Sequence, residues 1–305
     1  MCSDGALFAV SIAESIVNRC RLPFRLLVAE YGADVVYTPM IMADSFIHSS
    51  LARHHELQLT CPAPPTVVQF AAHTPHELAT AVQLVAPYVD GVDLNCGCPQ
   101  GWAAKEGIGA VLMRDADLVY QMVRQAVSVA GQTPVAVKMR IFDDEKKTVE
   151  LARRLETAGA SWLTVHGRTR HQKSSESVNY AMVKLIKQSV AVPVVANGDA
   201  FTLNDTKEIA QCTGADGVMS ARGILENPAL FSGSAKTPWE CVDRFCELSV
   251  QYGSASSIFH HHLSKMTASV LSSGDHRVLN SLANACIPSM IDFLEQVRPQ
   301  YNRLS

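Results

Sequence analysis

Gly91-Val92-Asp93-Leu94-Asn95-Cys96-Gly97-Cys98-Pro99-Gln100 decides the fold. The stretch opens as an apolar run and closes on polar side chains, a thiol, a glycine and a proline. That order is the C-terminal end of a buried strand and the loop beyond it. A barrel strand ending in polar residues marks a functional edge, because the loops that follow the strands share one face. Three more runs end the same way: Val137-Lys138-Met139-Arg140, Val165-His166-Gly167-Arg168 and Ala196-Asn197-Gly198-Asp199.

Working outward, eight short apolar runs span 6–13, 34–37, 66–71, 91–95, 134–140, 162–166, 192–196 and 217–219. Most lack strict alternation, as expected of parallel strands buried on both faces. Amphipathic stretches separate them, at 74–86, 115–130, 143–158 and 204–212. The first opens Thr74-Pro75-His76-Glu77, with the N-cap, first-turn proline and N3 carboxylate of a helix start. Eight strand–helix units predict an α/β fold, a (β/α)8 TIM barrel. The rhythm stops after Phe231, and Ser232-Gly233-Ser234-Ala235-Lys236-Thr237-Pro238 reads as a linker. Helices are expected at 239–252, 257–271 and 279–297. The predicted organisation is therefore a catalytic barrel, 1–235, and a small all-helical domain, 236–305.

With 305 residues, 48% of them hydrophobic and 18% charged, the chain is globular and long enough for a full core. A formal net charge of -3 excludes a general basic coat, so any nucleic-acid contact must be local. The nine cysteines form no CxxC pair, which argues for a reducing compartment, the cytoplasm or nucleus. No secretory signal or membrane-length apolar run is expected, nor any metal site.

The polar strand ends supply candidates for chemistry. Cys98 can serve as a general acid, since a thiol with a pKa of about 8.5 keeps its proton at neutral pH, or as a nucleophile where a base lowers that pKa. Cys96, two residues earlier, reads as a buried core thiol. Lys138 should not lie buried without an anionic partner. A Schiff-base lysine on the same barrel is the rival role. Arg140 can fork onto a carbonyl or phosphate. His166 and Arg168 lie just past another strand. Gly198 and the run Ala221-Arg222-Gly223 fall in the loops after the last two strands, where many barrels bind phosphate through backbone N–H groups.

These residues resemble the tRNA-dihydrouridine synthases. The likeness rests on Leu22-Pro23-Phe24-Arg25, Tyr37-Thr38-Pro39-Met40, Val68-Gln69-Phe70, Asp93 to Pro99 with its Asn-x-Gly-Cys-Pro signature, Lys138-Met139-Arg140, His166-Gly167-Arg168-Thr169, Ala196-Asn197-Gly198-Asp199 and Ala221-Arg222-Gly223. It is greatest to the eukaryotic type acting on D-loop positions 20a and 20b. The resemblance implies FMN, reduced by NADPH, in the barrel, and a helical RNA-binding domain after it. It implies that uridine in the tRNA D-loop becomes 5,6-dihydrouridine, with hydride delivered to C6 and the Cys98 proton to C5. Asn95, Arg140 and Arg168 would hold the substrate. Gln69, Lys138, His166, Asn197, Gly198, Asp199, Ala221 and Arg222 would hold the flavin and its phosphate. A monomer is expected. One place departs from the family: Glu14-Ser15-Ile16 stands where Ala-Pro-Met is usual, and a carboxylate there predicts weaker FMN binding. The alternatives are a flavin-deficient RNA-binding protein and a small-molecule pyrimidine oxidoreductase on the same barrel.

Overall fold

A computed structural model describes residues 10–13 and 21–301. Its strands are β1 Val10–Ala13, β2 Val35–Tyr37, β3 Ile41–Met42, β4 Thr66–Ala71, β5 Gly91–Cys96, β6 Val135–Arg140, β7 Trp162–His166, β8 Val194–Asn197 and β9 Gly217–Ser220. Every pairing is parallel. Neighbours run β1, β2, β4, β5, β6, β7, β8, β9, and β9 pairs back with β1, so eight strands close a ring. The two-residue β3 attaches to the upper end of β4. Too short to show a pattern, it has no sequence signal. Glu14-Ser15-Ile16 lies outside the described residues.

Side-chain alternation sorts the ring into an outside and an inside. On β5 and β6, Val92, Leu94, Cys96, Val135, Val137 and Met139 enter the large core beneath the helices. Their neighbours Asp93, Asn95, Lys138 and Arg140 are the buried polar residues of the interior. The barrel floor is closed by Tyr37, Val67, Val195 and Met219 with Trp162 packed against them, and the Trp162 indole N–H donates to the Tyr37 hydroxyl at 3.2 Å. Above that floor the register pairs Gln69 with Asp93, Asn95 with Lys138, Arg140 with His166 and His166 with Asn197. Parallel strands bring these polar ends to the same rim.

The surrounding helices are α1 Leu22–Glu30, α2 Ala43–His48, α3 Ser50–Glu56, α4 Pro75–Val85, α5 Gly101–Lys105, α6 Ala116–Val129, α7 Glu145–Thr157, α8 Tyr180–Ser189, α9 Leu203–Thr213 and α10 Arg222–Glu226. Their starts follow capping chemistry. Thr74 accepts from Glu77 N–H, Asp115 from Leu118 N–H and Asp144 from Lys146 N–H, and Thr202 with Asp205 completes a capping box.

The C-terminal layer is α11 Trp239–Tyr252, α12 Ser256–Met266, α13 Ser273–Ser281 and α14 Ile287–Tyr301. The single helix expected over 279–297 is two. Pro288 sits in the first turn of α14, where its missing N–H is harmless and its fixed φ suits a helix start. The expected linker is a tied corner: Asn227 Nδ2 donates to Ser234 O at 2.7 Å and the Thr237 hydroxyl to Glu226 O at 3.1 Å. The layer shares one apolar cluster with α1 and α10, including Phe24, Leu27, Ile224, Phe245 and Phe259. Phe24 stacks on His262 at 4.2 Å and meets Phe245 edge-on at 6.2 Å. Each such buried ring contributes about 1.5–3 kcal/mol, so the layer is fastened to the barrel's first helix. Among the described residues no helix is long and apolar enough to cross a membrane, and no group of His, Cys, Asp and Glu is placed to hold a metal.

Candidate active site

The rim encloses a cavity of ≈ 610 Å³, and every site residue named from the sequence lines it: Gln69, Asn95, Cys98, Lys138, Arg140, His166, Arg168, Asn197, Gly198, Asp199, Ala221 and Arg222. Two walls of different chemistry face each other across it.

On the first wall β4 and β5 carry a chain of buried amides. Gln69 Nε2 donates to Asp93 Oδ2 at 2.8 Å, and Asn95 Nδ2 donates to Gln69 Oε1 at 2.7 Å. Asn95 Oδ1 then accepts the backbone N–H groups of Gly97 at 3.0 Å and Cys98 at 2.9 Å. Asp93 offers only acceptors and the two backbone groups only donors, so both ends fix which way each amide points. The Gln69 backbone N–H is itself held by the Thr38 hydroxyl at 3.1 Å.

The loop after β5 is clamped again on its far side. Arg140 Nε donates to Gly97 O at 2.7 Å, and Arg140 Nη1 to Thr169 O at 3.0 Å, tying the loops after β5 and β7 together. Cys98 O accepts from Ala110 N–H at 2.9 Å. Gly109 passes under this carbonyl with φ +70°, and a Cβ there would lie 2.7 Å from Cys98 O, so only glycine fits. Cys98 packs against Met40, Ala71, Ala103 and Ile108 while its side chain lines the cavity. Cys96 points the other way, into the outer core, where burial raises its thiol pKa far above the ordinary range.

The second wall, from β7, β8 and β9, is cationic. Asp199 bridges the Arg168 and Arg222 guanidinium groups from a left-handed backbone, φ 51°, the one such non-glycine residue among those described. Arg168 Nε also donates to Glu176 O at 2.6 Å, and the Arg222 guanidinium lies 5.2 Å from the centre of the Phe201 ring. Asn197 Nδ2 donates to Met219 O at 3.0 Å, and Tyr180 OH to Gly198 O at 3.0 Å. Gly223 is packed so tightly that a Cβ would stand 2.1 Å from Ala200 O.

His166 measures the field of this wall. Burial, then Lys138, Arg140, Arg168 and Arg222, push its pKa down to about 2. The imidazole is therefore neutral at any working pH, and a neutral imidazole is a poor general acid. Since Arg168 only donates, its long 3.5 Å contact to His166 Nε2 puts the lone pair on that nitrogen.

The sequence reading missed part of the lining. Met40 and Met219 are apolar and carried no polar signal; Gln172, Lys173, Ser174 and Ser175 come from the long loop after β7. The length and polarity of 167–179 were the available sign, since a loop that long on a barrel's functional face is seldom idle. Asp93, which anchors the amide chain, was visible within the strand but carried no assigned role.

Comparison with known proteins agrees with this geometry. The chain matches the dihydrouridine synthase family model over residues 12–288. It is 41% identical over 288 residues to a mouse protein named tRNA-dihydrouridine(20a/20b) synthase (NAD(P)+)-like, across 93% of this chain and 88% of that protein. It is 42% identical over 284 residues to the Schizosaccharomyces pombe tRNA-dihydrouridine(20a/20b) synthase, across 93% and 87%. A solved structure of a variant of NCR from Zymomonas mobilis overlays with a TM-score of 0.51 at 14% identity, across 72% of this chain and 83% of that one, a likeness of fold alone. On the extent of the family match and these identities, the chain belongs to the dihydrouridine synthase family.

Proposed function

We propose that this chain reduces uridine to 5,6-dihydrouridine in the D-loop of tRNA, with NADPH as reductant, FMN in the barrel and Cys98 as the acid. One observation carries the reading. A cavity-lining thiol on a doubly clamped loop faces a cationic wall across a space of ≈ 610 Å³, in a chain of this family.

The residues fit a phosphate-bearing flavin. Burial first, and then Lys138, Arg140, Arg168 and Arg222, keep His166 neutral, and these four cations around one space favour an anion. Gln69 and Lys138 would hold the ring system. His166, Asn197, Gly198, Asp199, Ala221 and Arg222 would hold the remainder and its phosphate. When bound, FMN supplies hydride to C6 of the uracil, having taken it from NADPH.

The chain's own part is recognition and proton transfer. Asn95 retains one amide N–H that would meet a base carbonyl, and Arg140 and Arg168 would hold the substrate with it. Cys98 holds its proton at Sγ and gives it to C5. His166 cannot compete for that role, being unprotonated. Extruding a base costs a few kcal/mol, least where the target is already in a loop. Residues 236–305 would lie against the tRNA body, and the chain would act as a monomer in the cytoplasm or nucleus.

Purified protein, tested with NADPH on tRNA and on free uracil, checks this. The expected result is a visible flavin band near ~450 nm and dihydrouridine in tRNA alone. Equal turnover of free uracil, or a colourless protein that binds tRNA without product, would overturn it.

A further inference from the structure

Trp102 stands on the rim beside the reactive loop. The residue is 41% exposed, although an indole gains much from burial. It lies four residues after Cys98, on α5. The inner face of that short helix is fixed: Ala103 is fully buried in the cluster that holds Cys98, Met40 and Ile108. The helix cannot shift without moving the thiol. The indole N–H donates to Gln100 Oε1, and the Gln100 side chain lines the cavity. Trp102 and Gln100 thus form a coupled pair, one aromatic face and one amide, at the edge of the space where the base must enter.

We propose that Trp102, oriented by Gln100, is a stacking platform for the nucleobase adjacent to the target uridine. This rests on the tRNA reading above. A base drawn out of an RNA loop leaves its neighbour unstacked, and that neighbour arrives at the rim with it. Proteins that read single-stranded RNA hold such bases on aromatic faces. Lys105 and Glu106, which follow on the same exposed surface, offset one another in charge. The contact is therefore aromatic rather than ionic, and tolerant of which base occupies it.

The test uses full-length protein and unmodified tRNA carrying D-loop uridine. Affinity is measured by filter binding at two salt concentrations, and KM and kcat by dihydrouridine yield. Trp102→Ala and Trp102→Leu should each weaken tRNA binding roughly tenfold, with the loss in KM rather than kcat and the same ratio at both salts. Trp102→Phe should recover most of it. Indole fluorescence of the wild type should be quenched by tRNA, and this quench should vanish in Trp102→Phe. Thermal melting confirms that each variant is folded. Wild-type affinity in Trp102→Ala, or full recovery by leucine, overturns the platform while leaving the tRNA reading intact. Wild-type protein that binds no tRNA at all overturns both.

Discussion

The two walls of the cavity solve opposite problems. The β4–β5 wall is a closed run of donors matched to acceptors: Asp93, Gln69, Asn95 and the N–H groups of Gly97 and Cys98. Nothing in it has to change when a ligand arrives. The opposite wall is cationic: Lys138 and Arg140 of β6 join Arg168 and Arg222 around a neutral histidine, and Asp199 bridges the last two. The first wall suits a neutral ring that must be oriented, the second an anion that must be attracted. Placing the thiol on the first wall keeps it on the rigid side. If this division is right, variants on the first wall alter turnover, and variants on the second alter cofactor retention and pH response.

Cys98→Ala is the largest expected effect. Removing a general acid costs about 10²–10⁴-fold in rate, so dihydrouridine yield on tRNA should fall by at least 10²-fold. The visible flavin band should persist, since the thiol takes no part in the cationic wall. Near-normal product from this variant would end the acid assignment. Next comes Asp93→Leu. It strips the acceptor from Gln69 Nε2, leaving a buried donor unmet at about 1–3 kcal/mol and freeing both amides to turn. We expect kcat roughly ten- to a hundredfold lower with KM little changed. Asp93→Asn keeps an acceptor oxygen, and the Gly97 and Cys98 N–H groups still fix the other end, so it should stay near the wild type. Equal damage from asparagine and leucine would show that Asp93 acts through its charge, not through the relay.

The barrel was legible because its strands are apolar runs of near-standard length: the runs at 66–71 and 162–166 match β4 and β7 to the residue. The site was legible for a related reason. Lys138, Arg140 and His166 interrupt strands that are otherwise apolar, and a buried strand tolerates such residues only at its functional end. What escaped notice depends on partners distant in sequence. Asp93 gains its meaning from Gln69, 24 residues away, and the tie between α1 and α11 from Phe24 meeting Phe245. Capping signals gave helix starts well. The break before α14 was written in Pro288, but an apolar pattern continuing across it masked the signal.

On the second wall the effects should be smaller. Arg222 is part-exposed, with its side chain 39% accessible, so a charged contact there is screened and its loss is modest. Arg222→Ala should weaken FMN binding roughly five- to tenfold and leave riboflavin, which lacks the phosphate, unaffected. Titration of flavin-stripped protein with each compound separates the two. Equal weakening for both would mean that Arg222 supports the loop rather than the anion.

The smallest effect is also the most direct reading of the field. His166 is neutral when folded, with its pKa near 2, while an unfolded histidine titrates near 6.5. Between those values the unfolded chain binds one more proton, so stability falls as pH drops below about 6.5, by at most about 1.4 kcal/mol per pH unit. His166→Gln removes that proton site. Urea unfolding of both proteins at pH 7 and pH 5.5 should therefore show the wild type losing about 1 kcal/mol more than the variant over that interval. Equal pH dependence in the two proteins would mean that His166 already carries its proton in the folded state at pH 5.5, and that burial and the surrounding cations do not silence it.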